Sequence, residues 1–113
     1  MTTAQSDGPE SFDPANAEPD PLSRFARWWT QARGASPFAD AMALATASPD
    51  GTPSVRMVLL RGFEAAGGFV FFTNYESAKA GDLRANPRAA VVFHWPELHR
   101  QVRASGAVER LAP

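Results

Sequence analysis

The chain has 113 residues, of which 44% are apolar and 20% charged, and its formal net charge is -1. This composition fits one globular domain with a modest core and argues against a general nucleic-acid binder, which usually carries a basic excess. The absence of cysteine excludes disulfides and thiolate metal sites. Because His94 and His99 have no acidic residues at ligand spacing, we predict no metal site.

Residues 1–20 are polar and acidic, whereas a secretory signal is basic and then apolar. No apolar run in the chain approaches the roughly 20 residues of a membrane-spanning helix. We therefore expect a cytoplasmic protein without a membrane partner. The same residues include Pro9, Pro14 and Pro19, so they are predicted to form a disordered tail before a single domain at 21–113.

The first predicted helix begins at Asp20 and Pro21, an N-cap residue followed by proline at the first helical position. Gly34 is the predicted stop signal. The apolar residues that recur at helical spacing are Leu22, Phe25, Ala26, Trp29 and Ala32. Trp28 lies off that stripe, and is predicted either to be a partly covered surface residue or to pack on a partner subunit.

Residues 41–47 are short and rich in alanine, which favours a helix by propensity alone. The Ser48-Pro-Asp-Gly51 turn, however, leads directly into an apolar segment at 53–61, so we predict a hairpin of two strands. A third strand is predicted at 68–74, with aromatic residues on both faces.

The central strand, 53–61, carries an arginine near each end and is predicted to be buried or half-buried. In a regular strand Arg56 and Arg61 lie on opposite faces, so they serve different sites unless a bulge brings them together. Either these arginines belong to a solvated rim, or they bind an anion such as phosphate or carboxylate.

A short helix is predicted at 78–85, ended by Asn86 and Pro87. Lys79, the only lysine, falls in its first turn. A cation is disfavoured there by the helix dipole, which suggests a nearby anion that also uses the free N–H groups. The alternative is a solvated surface lysine. Two further strands are predicted at 89–95 and 101–109.

Five short strands and two helices predict a mainly β domain of the α+β class, a small barrel with helices over its openings. No strand follows 101–109 to close the barrel, so we expect its apolar edge to be covered by another subunit or by residues beyond this chain.

The sequence contains no nucleophile–base pair and no phosphate-binding loop, so we predict no catalytic side chain. Its anion-binding and hydrogen-bonding groups suit a bound phosphorylated cofactor better than side-chain catalysis: Arg56, Arg61, Thr73, Ser77, Lys79, Gln101 and Arg103.

Five segments occur in the order of a known family: 41–46, 53–61, 69–74, 86–87 and 95–102. Together they resemble the pyridoxamine 5'-phosphate oxidase family across residues 20–111. The resemblance implies a split β-barrel that works as a homodimer with FMN at the subunit interface. It also implies oxidation of pyridoxamine or pyridoxine 5'-phosphate to pyridoxal 5'-phosphate, with hydride passed to the flavin and electrons then passed to oxygen.

The residues that the resemblance assigns to FMN are Arg56, Met57, Val58, Leu59, Leu60, Arg61, Phe72, Thr73, Ala78, Lys79 and Gln101. Arg56 and Lys79 are expected to bind its phosphate, and Gln101 to hydrogen-bond the flavin. Arg61 stands where the family has a substrate-binding lysine; arginine keeps the charge but not the shape. Ala78 replaces a family arginine, which removes one phosphate contact.

The C-terminal half of the family has no counterpart in this sequence, so we expect an incomplete barrel and poor turnover of substrate. The main alternative is a split-barrel protein that binds flavin, or another cofactor, without oxidase activity. A second alternative is an RNA-binding module, because 68–71 superficially resembles the aromatic strand of an RNA-recognition motif. Val70, Asn74 and the slightly negative charge argue against it.

Overall fold

The computed structural model describes residues 2–6, 20–64, 68–72 and 78–109. Six strands form one antiparallel sheet in the order β1-β6-β5-β2-β3-β4, and the helices are α1 and α2. In chain order the elements are β1 (Thr2–Ser6), α1 (Pro21–Ala35), β2 (Ala41–Ala47), β3 (Pro53–Glu64), β4 (Gly68–Phe71), α2 (Ala78–Ala85), β5 (Arg88–Trp95), a 3-10 turn (Pro96–Leu98) and β6 (Arg100–Ala107).

Helix α1 begins as predicted, with the Asp20 carboxylate accepting a hydrogen bond from the Leu22 backbone N–H at 3.0 Å. Its buried residues are Phe25, Trp28 and Ala32. The surface or interface position predicted for Trp28 is therefore wrong, because this side chain is 4% exposed and belongs to the core. Compared with the predicted apolar stripe, the buried face of α1 is rotated so that it includes Trp28. Trp29 is half-buried and donates its indole N–H to Asp40 at 2.8 Å.

Phe25 lies at the centre of an aromatic core between α1 and the sheet. Its ring centroid is 4.8 Å from those of Phe63 and Phe69, 5.0 Å from that of Phe93 and 5.9 Å from that of Trp95. Trp95 is fully buried and donates its indole N–H to the Ala39 carbonyl at 2.9 Å. The core thus lies on one face of the sheet, here called the inner face.

The predicted hairpin is confirmed, with β2 and β3 paired from Ala41↔Leu59 to Ala47↔Pro53. Its turn is closed by the Gly51 N–H donating to the Ser48 carbonyl at 2.9 Å. Gly51 has a φ of 90°, a backbone conformation that favours glycine. On β2 the residues at even positions, from Met42 to Thr46, are buried on the inner face.

The other face of β3 is exposed, so the strand is half-buried, which is one of the two predicted alternatives. Val55, Met57 and Leu59 are 68%, 65% and 48% exposed. They alternate with inner-face residues because side chains on a strand point to opposite faces in turn. Their face of the sheet, which lies away from the aromatic core, is called the outer face below.

Strand β1 occupies one edge of the sheet and pairs with β6 from Thr2↔Ala104 to Ser6↔Arg100. This corrects the predicted tail at residues 2–6, whereas residues 7–19 lie outside the described residues. The physical reason is that an edge strand such as β6 presents unpaired N–H and C=O groups to which another segment can pair.

The later elements follow the prediction closely. Helix α2 has the predicted bounds, 78–85, and β5 begins one residue earlier than expected, at Arg88. Strand β6 runs from Arg100 to Ala107 and so ends before the predicted Glu109. Among the described residues, no helix is long and apolar enough to cross a membrane, and no cluster of His, Asp and Glu suits a metal ion.

Candidate functional site

Arg56 is a half-buried side chain on the inner face of β3. Its Nη1 donates to the Leu44 carbonyl at 3.1 Å and to the Thr46 hydroxyl at 2.9 Å. Both partners belong to β2, so the guanidinium is held against the neighbouring strand. An arginine fixed in this way can present its remaining N–H groups to an anion in a defined orientation.

Thr46 connects this arginine to α2. Its hydroxyl is 3.0 Å from the Asp82 carboxylate, to which it donates, and its side chain is 4% exposed. Sequence reasoning missed both Thr46 and Asp82. The available signal was a polar residue at an inward position of the otherwise apolar strand β2, but nothing local identified its partner on α2.

Lys79 is the second residue of α2 and stands one helical turn before Asp82. The first turn of a helix offers backbone N–H groups without partners in the helix, which suit an anion. The bond from Thr46 to Asp82 places α2 beside β2, whose Leu44 and Thr46 accept hydrogen bonds from Arg56, and the shared phosphate contact stays a prediction. Contacts of the Lys79 and Ala78 side chains, and the positions of Thr73 and Ser77, lie outside what the structure describes.

Arg61 is the extra residue of a β-bulge. Leu60 is paired with Phe71 and Gly62 with Val70, which leaves Arg61 without a partner in the β3–β4 ladder. Its guanidinium carbon is 6.0 Å from the ring centroid of Phe72, and both residues are exposed. This is within the range of a cation–π contact. A bulge is thus present in β3, and it places Arg61 beside an exposed aromatic ring.

Gln101 lies on the outer face of β6, since its neighbours Arg100 and Val102 are buried on the inner face. Strands β5 and β2 separate β6 from β3, which corresponds to about 14 Å across the sheet. Within one chain, Gln101 is therefore remote from Arg56 and on the opposite face. Among the described residues, the predicted FMN contacts Arg56 and Gln101 therefore do not share one site in a single copy.

The outer face also contains a groove of about 350 Å³. It crosses the middle of the sheet, where most side chains are small. Its lining includes Ala43, Ala45, Val55, Ala90, Val92 and Arg103. Short side chains across neighbouring strands allow another surface to approach the backbone closely.

Arg100, which belongs to the recognised segment 95–102, is a buried residue that connects two elements of the fold. It is 3% exposed, and its guanidinium carbon is 4.5 Å from the ring centroid of Trp28. Burial lowers the pKa of Arg100, because a charged guanidinium is solvated less well away from water. Gln31 of α1 accepts a hydrogen bond from its Nη1, so this arginine ties α1 to β6.

The described residues fit a phosphorylated aromatic group. Arg56 supplies an oriented guanidinium on the inner face of β3, close to α2, whereas Met57 and Leu59 on the outer face, with Phe72 after β4, supply exposed apolar surface. Arg61 adds a second guanidinium, which is exposed, at the bulge. This donor set can bind and orient a cofactor, and it contains no arrangement of a nucleophile with a base.

Comparison with known proteins gives a consistent result. The family described as pyridoxamine 5'-phosphate oxidase matches residues 31–113. The pyridoxine/pyridoxamine 5'-phosphate oxidase of Cupriavidus necator is 52% identical over 103 residues, covering 90% of this chain and 48% of the relative. The enzyme of the same name from a Nostoc species is 50% identical over 104 residues, covering 91% and 48%. The chain thus spans about half the length of the curated relatives it matches.

Two solved structures share the fold. A pyridoxamine 5'-phosphate oxidase-related, FMN-binding protein from Nostoc punctiforme has a TM-score of 0.69 at 28% identity, over 81% of this chain and 48% of its own. PhzG from Burkholderia lata, solved with tetrahydrophenazine-1-carboxylic acid, has a TM-score of 0.77 at 26% identity, over 87% and 50%. They confirm the predicted fold class, in which mainly antiparallel strands form a curled half-barrel with flanking helices.

Proposed function

Because the chain belongs to the pyridoxamine 5'-phosphate oxidase family, we propose that it binds FMN and serves the oxidation of pyridoxamine or pyridoxine 5'-phosphate to pyridoxal 5'-phosphate, with oxygen as the final acceptor. The observation that carries the proposal is the half-buried guanidinium of Arg56, held by Thr46 and Leu44 beside α2. Arg56 is an oriented cation, and it is the residue that the family resemblance assigns to the FMN phosphate.

FMN, when bound, supplies the hydride acceptor and the route for electrons to oxygen. The chain supplies binding and orientation. In the described part of the chain, both hydrogen bonds of Arg56 come from Nη1, so Nη2 and Nε remain as donors for the phosphate. Lys79, in the first turn of α2, supplies a second positive charge for the same phosphate.

The remaining proposed FMN contacts are Met57, Val58, Leu59, Leu60, Arg61, Phe72, Thr73, Ala78 and Gln101. Arg61 is also the proposed contact to the substrate. Its position at a bulge supports this role, because an exposed guanidinium outside the regular ladder is available to an anionic ligand.

We further propose that the working unit contains two copies of the chain, with the outer face of one copy against the other. Val55, Met57 and Leu59 form an exposed apolar row there, next to the groove lined by alanines. A second copy can also bring its Gln101 to the outer-face residues Met57 and Leu59, since residues remote in one chain can meet across an interface.

The function is tested by adding FMN to the purified protein and following the quenching of flavin fluorescence. We expect saturable binding, and under anaerobic conditions we expect pyridoxamine 5'-phosphate to bleach the absorbance of the bound flavin. Bleaching followed by formation of pyridoxal 5'-phosphate and peroxide in air supports the oxidase. Binding without bleaching favours a flavin-binding protein with another role, and absence of binding contradicts the proposal.

The two-copy unit predicts that Met57→Glu weakens self-association at least tenfold. Burying a methionine contributes about 1.5–3 kcal/mol, and a carboxylate at an apolar interface adds a desolvation penalty. Sedimentation velocity at micromolar concentration measures the dissociation constant. Thr30→Glu is the matched control, since it adds the same charge at an exposed position of α1, on the inner side of the sheet. A compact monomer in the unmodified protein would contradict the prediction.

A further inference from the structure

We propose that Thr46 is a positioning residue of the cofactor site, which orients Arg56 and couples it to α2 through Asp82. The inference rests on the proposed FMN function and assigns a role to two residues outside the recognised FMN set. It starts from one buried hydroxyl with a charged group on each side, at 2.9 Å from Arg56 Nη1 and 3.0 Å from Asp82 Oδ2.

The donor and the acceptor of each hydrogen bond in this network are fixed by the chemistry of its groups. A guanidinium only donates, an ionised carboxylate only accepts, and a threonine hydroxyl has one hydrogen and two lone pairs. Thr46 must therefore accept from Arg56 and donate to Asp82. Its β-branched side chain has restricted rotation in a strand, and 4% exposure leaves little access for competing water.

This arrangement restrains Arg56 before any ligand arrives. Nη1 is bound to both Thr46 and Leu44, so the plane of the guanidinium is defined by two acceptors on β2. A long side chain that is already ordered loses less conformational freedom on binding, which strengthens the affinity for the same set of contacts. Thr46 thus acts on the phosphate through Arg56 rather than by touching it.

The Asp82 end of the network sets the position of α2. The residue is half-buried and lies one helical turn after Lys79, so its bond to Thr46 fixes the start of α2 relative to Arg56. The carboxylate reaches Arg56 only through the hydroxyl in the described contacts, which leaves the positive charge of the guanidinium available to an anion. One side chain therefore controls the spacing of two proposed phosphate ligands.

The test compares Thr46→Val, which keeps the shape without the hydroxyl, with Thr46→Ser, which keeps the hydroxyl. We expect Thr46→Val to weaken FMN binding about three- to tenfold, the range for the net loss of an ordinary hydrogen bond, because Thr46 acts on the phosphate indirectly. Thr46→Ser is expected to bind within about twofold of the unmodified protein. Affinity is measured by flavin fluorescence quenching, and the melting temperature of each flavin-free variant is measured alongside.

The decisive measurement repeats Thr46→Val in an Arg56→Ala background. If Thr46 acts through Arg56, the loss of affinity caused by Thr46→Val is smaller in that background, and the loss that remains is the part exerted through Asp82 and α2. Equal losses in both backgrounds would overturn the inference, as would a lower melting temperature of Thr46→Val with unchanged affinity. If Thr46→Val does not fold, Asp82→Ala gives the same comparison from α2.

The result also separates this inference from the proposed function. Absence of FMN binding by the unmodified protein would overturn the proposed function and this inference with it. Normal binding by the unmodified protein and by Thr46→Val would overturn the inference alone.

Discussion

Replacing Phe25 by alanine is expected to lower the free energy of unfolding by about 3–5 kcal/mol, which is the usual range for removing a buried phenylalanine. Phe25 is 1% exposed and its ring centroid lies within 6.1 Å of five other aromatic rings. Those rings come from α1, β3, β4 and β5. Removing the Phe25 ring therefore leaves a cavity where this helix and these three strands pack together. Total stabilities of such domains are about 5–15 kcal/mol, so this loss is a large fraction.

The chain offers a matched control for this measurement. Phe38 is 75% exposed, and Phe38→Ala is expected to change the stability by less than about 0.5 kcal/mol. Urea denaturation followed by circular dichroism gives both values. Similar losses in the two variants would show that Phe25 does not centre the core as described.

Replacing Arg56 by alanine is expected to weaken FMN binding about ten- to a hundredfold, because a charge-assisted contact to phosphate contributes about 1.5–3 kcal/mol. The substitution also leaves Thr46 and the Leu44 carbonyl without their shared donor. Fluorescence quenching of FMN measures the affinity, and the melting temperature of the flavin-free protein separates lost binding from lost folding.

Arg88→Ala is the matched control, since it removes the same charge from an exposed position at the start of β5. Its expected effect on FMN affinity is less than about twofold, the size of a screened surface charge. Arg56→Lys is expected to retain part of the affinity, because it keeps the charge without the planar fork. Equal affinities of the Arg56→Ala variant and the unmodified protein would remove Arg56 from the site.

The β2–β3 hairpin and the bounds of α2 could be predicted from sequence because their signals are local. A turn motif separates the two strands, and Asn86 with Pro87 ends the helix. The same holds for the start of α1, where Asp20 caps the helix as expected. Each of these features depends on residues that are neighbours along the chain.

The features that could not be predicted depend on partners remote in sequence. Trp28 is buried because Phe25 and Ala32 turn that side of α1 toward the sheet, which the apolar periodicity alone did not select. Strand β1 forms on an edge supplied by β6, about a hundred residues later. The bond from Thr46 to Asp82 joins residues that are separated by 36 positions.

The family resemblance predicts which residues contact the cofactor, but it does not predict how they are arranged. The recognised segments named Arg56, Arg61 and Gln101 without showing that the first and the last lie on opposite faces of the sheet. That separation is a property of strand order, since β5 and β2 stand between β6 and β3. A motif identifies which residues are used, and the topology decides whether one copy can bring them together.

The β-bulge at Arg61 also determines where one residue can be deleted from β3 without disturbing its pairing with β4. Deleting Arg61 leaves each pair of the β3–β4 ladder with both of its partners, from Leu60 and Phe71 to Glu64 and Gly68. Deleting Met57 would instead move the side chain of every β3 residue on one side of the deletion to the opposite face of the sheet. Position 61 is therefore dispensable to strand pairing, and a shortened chain would lose the bend and the guanidinium while keeping the sheet.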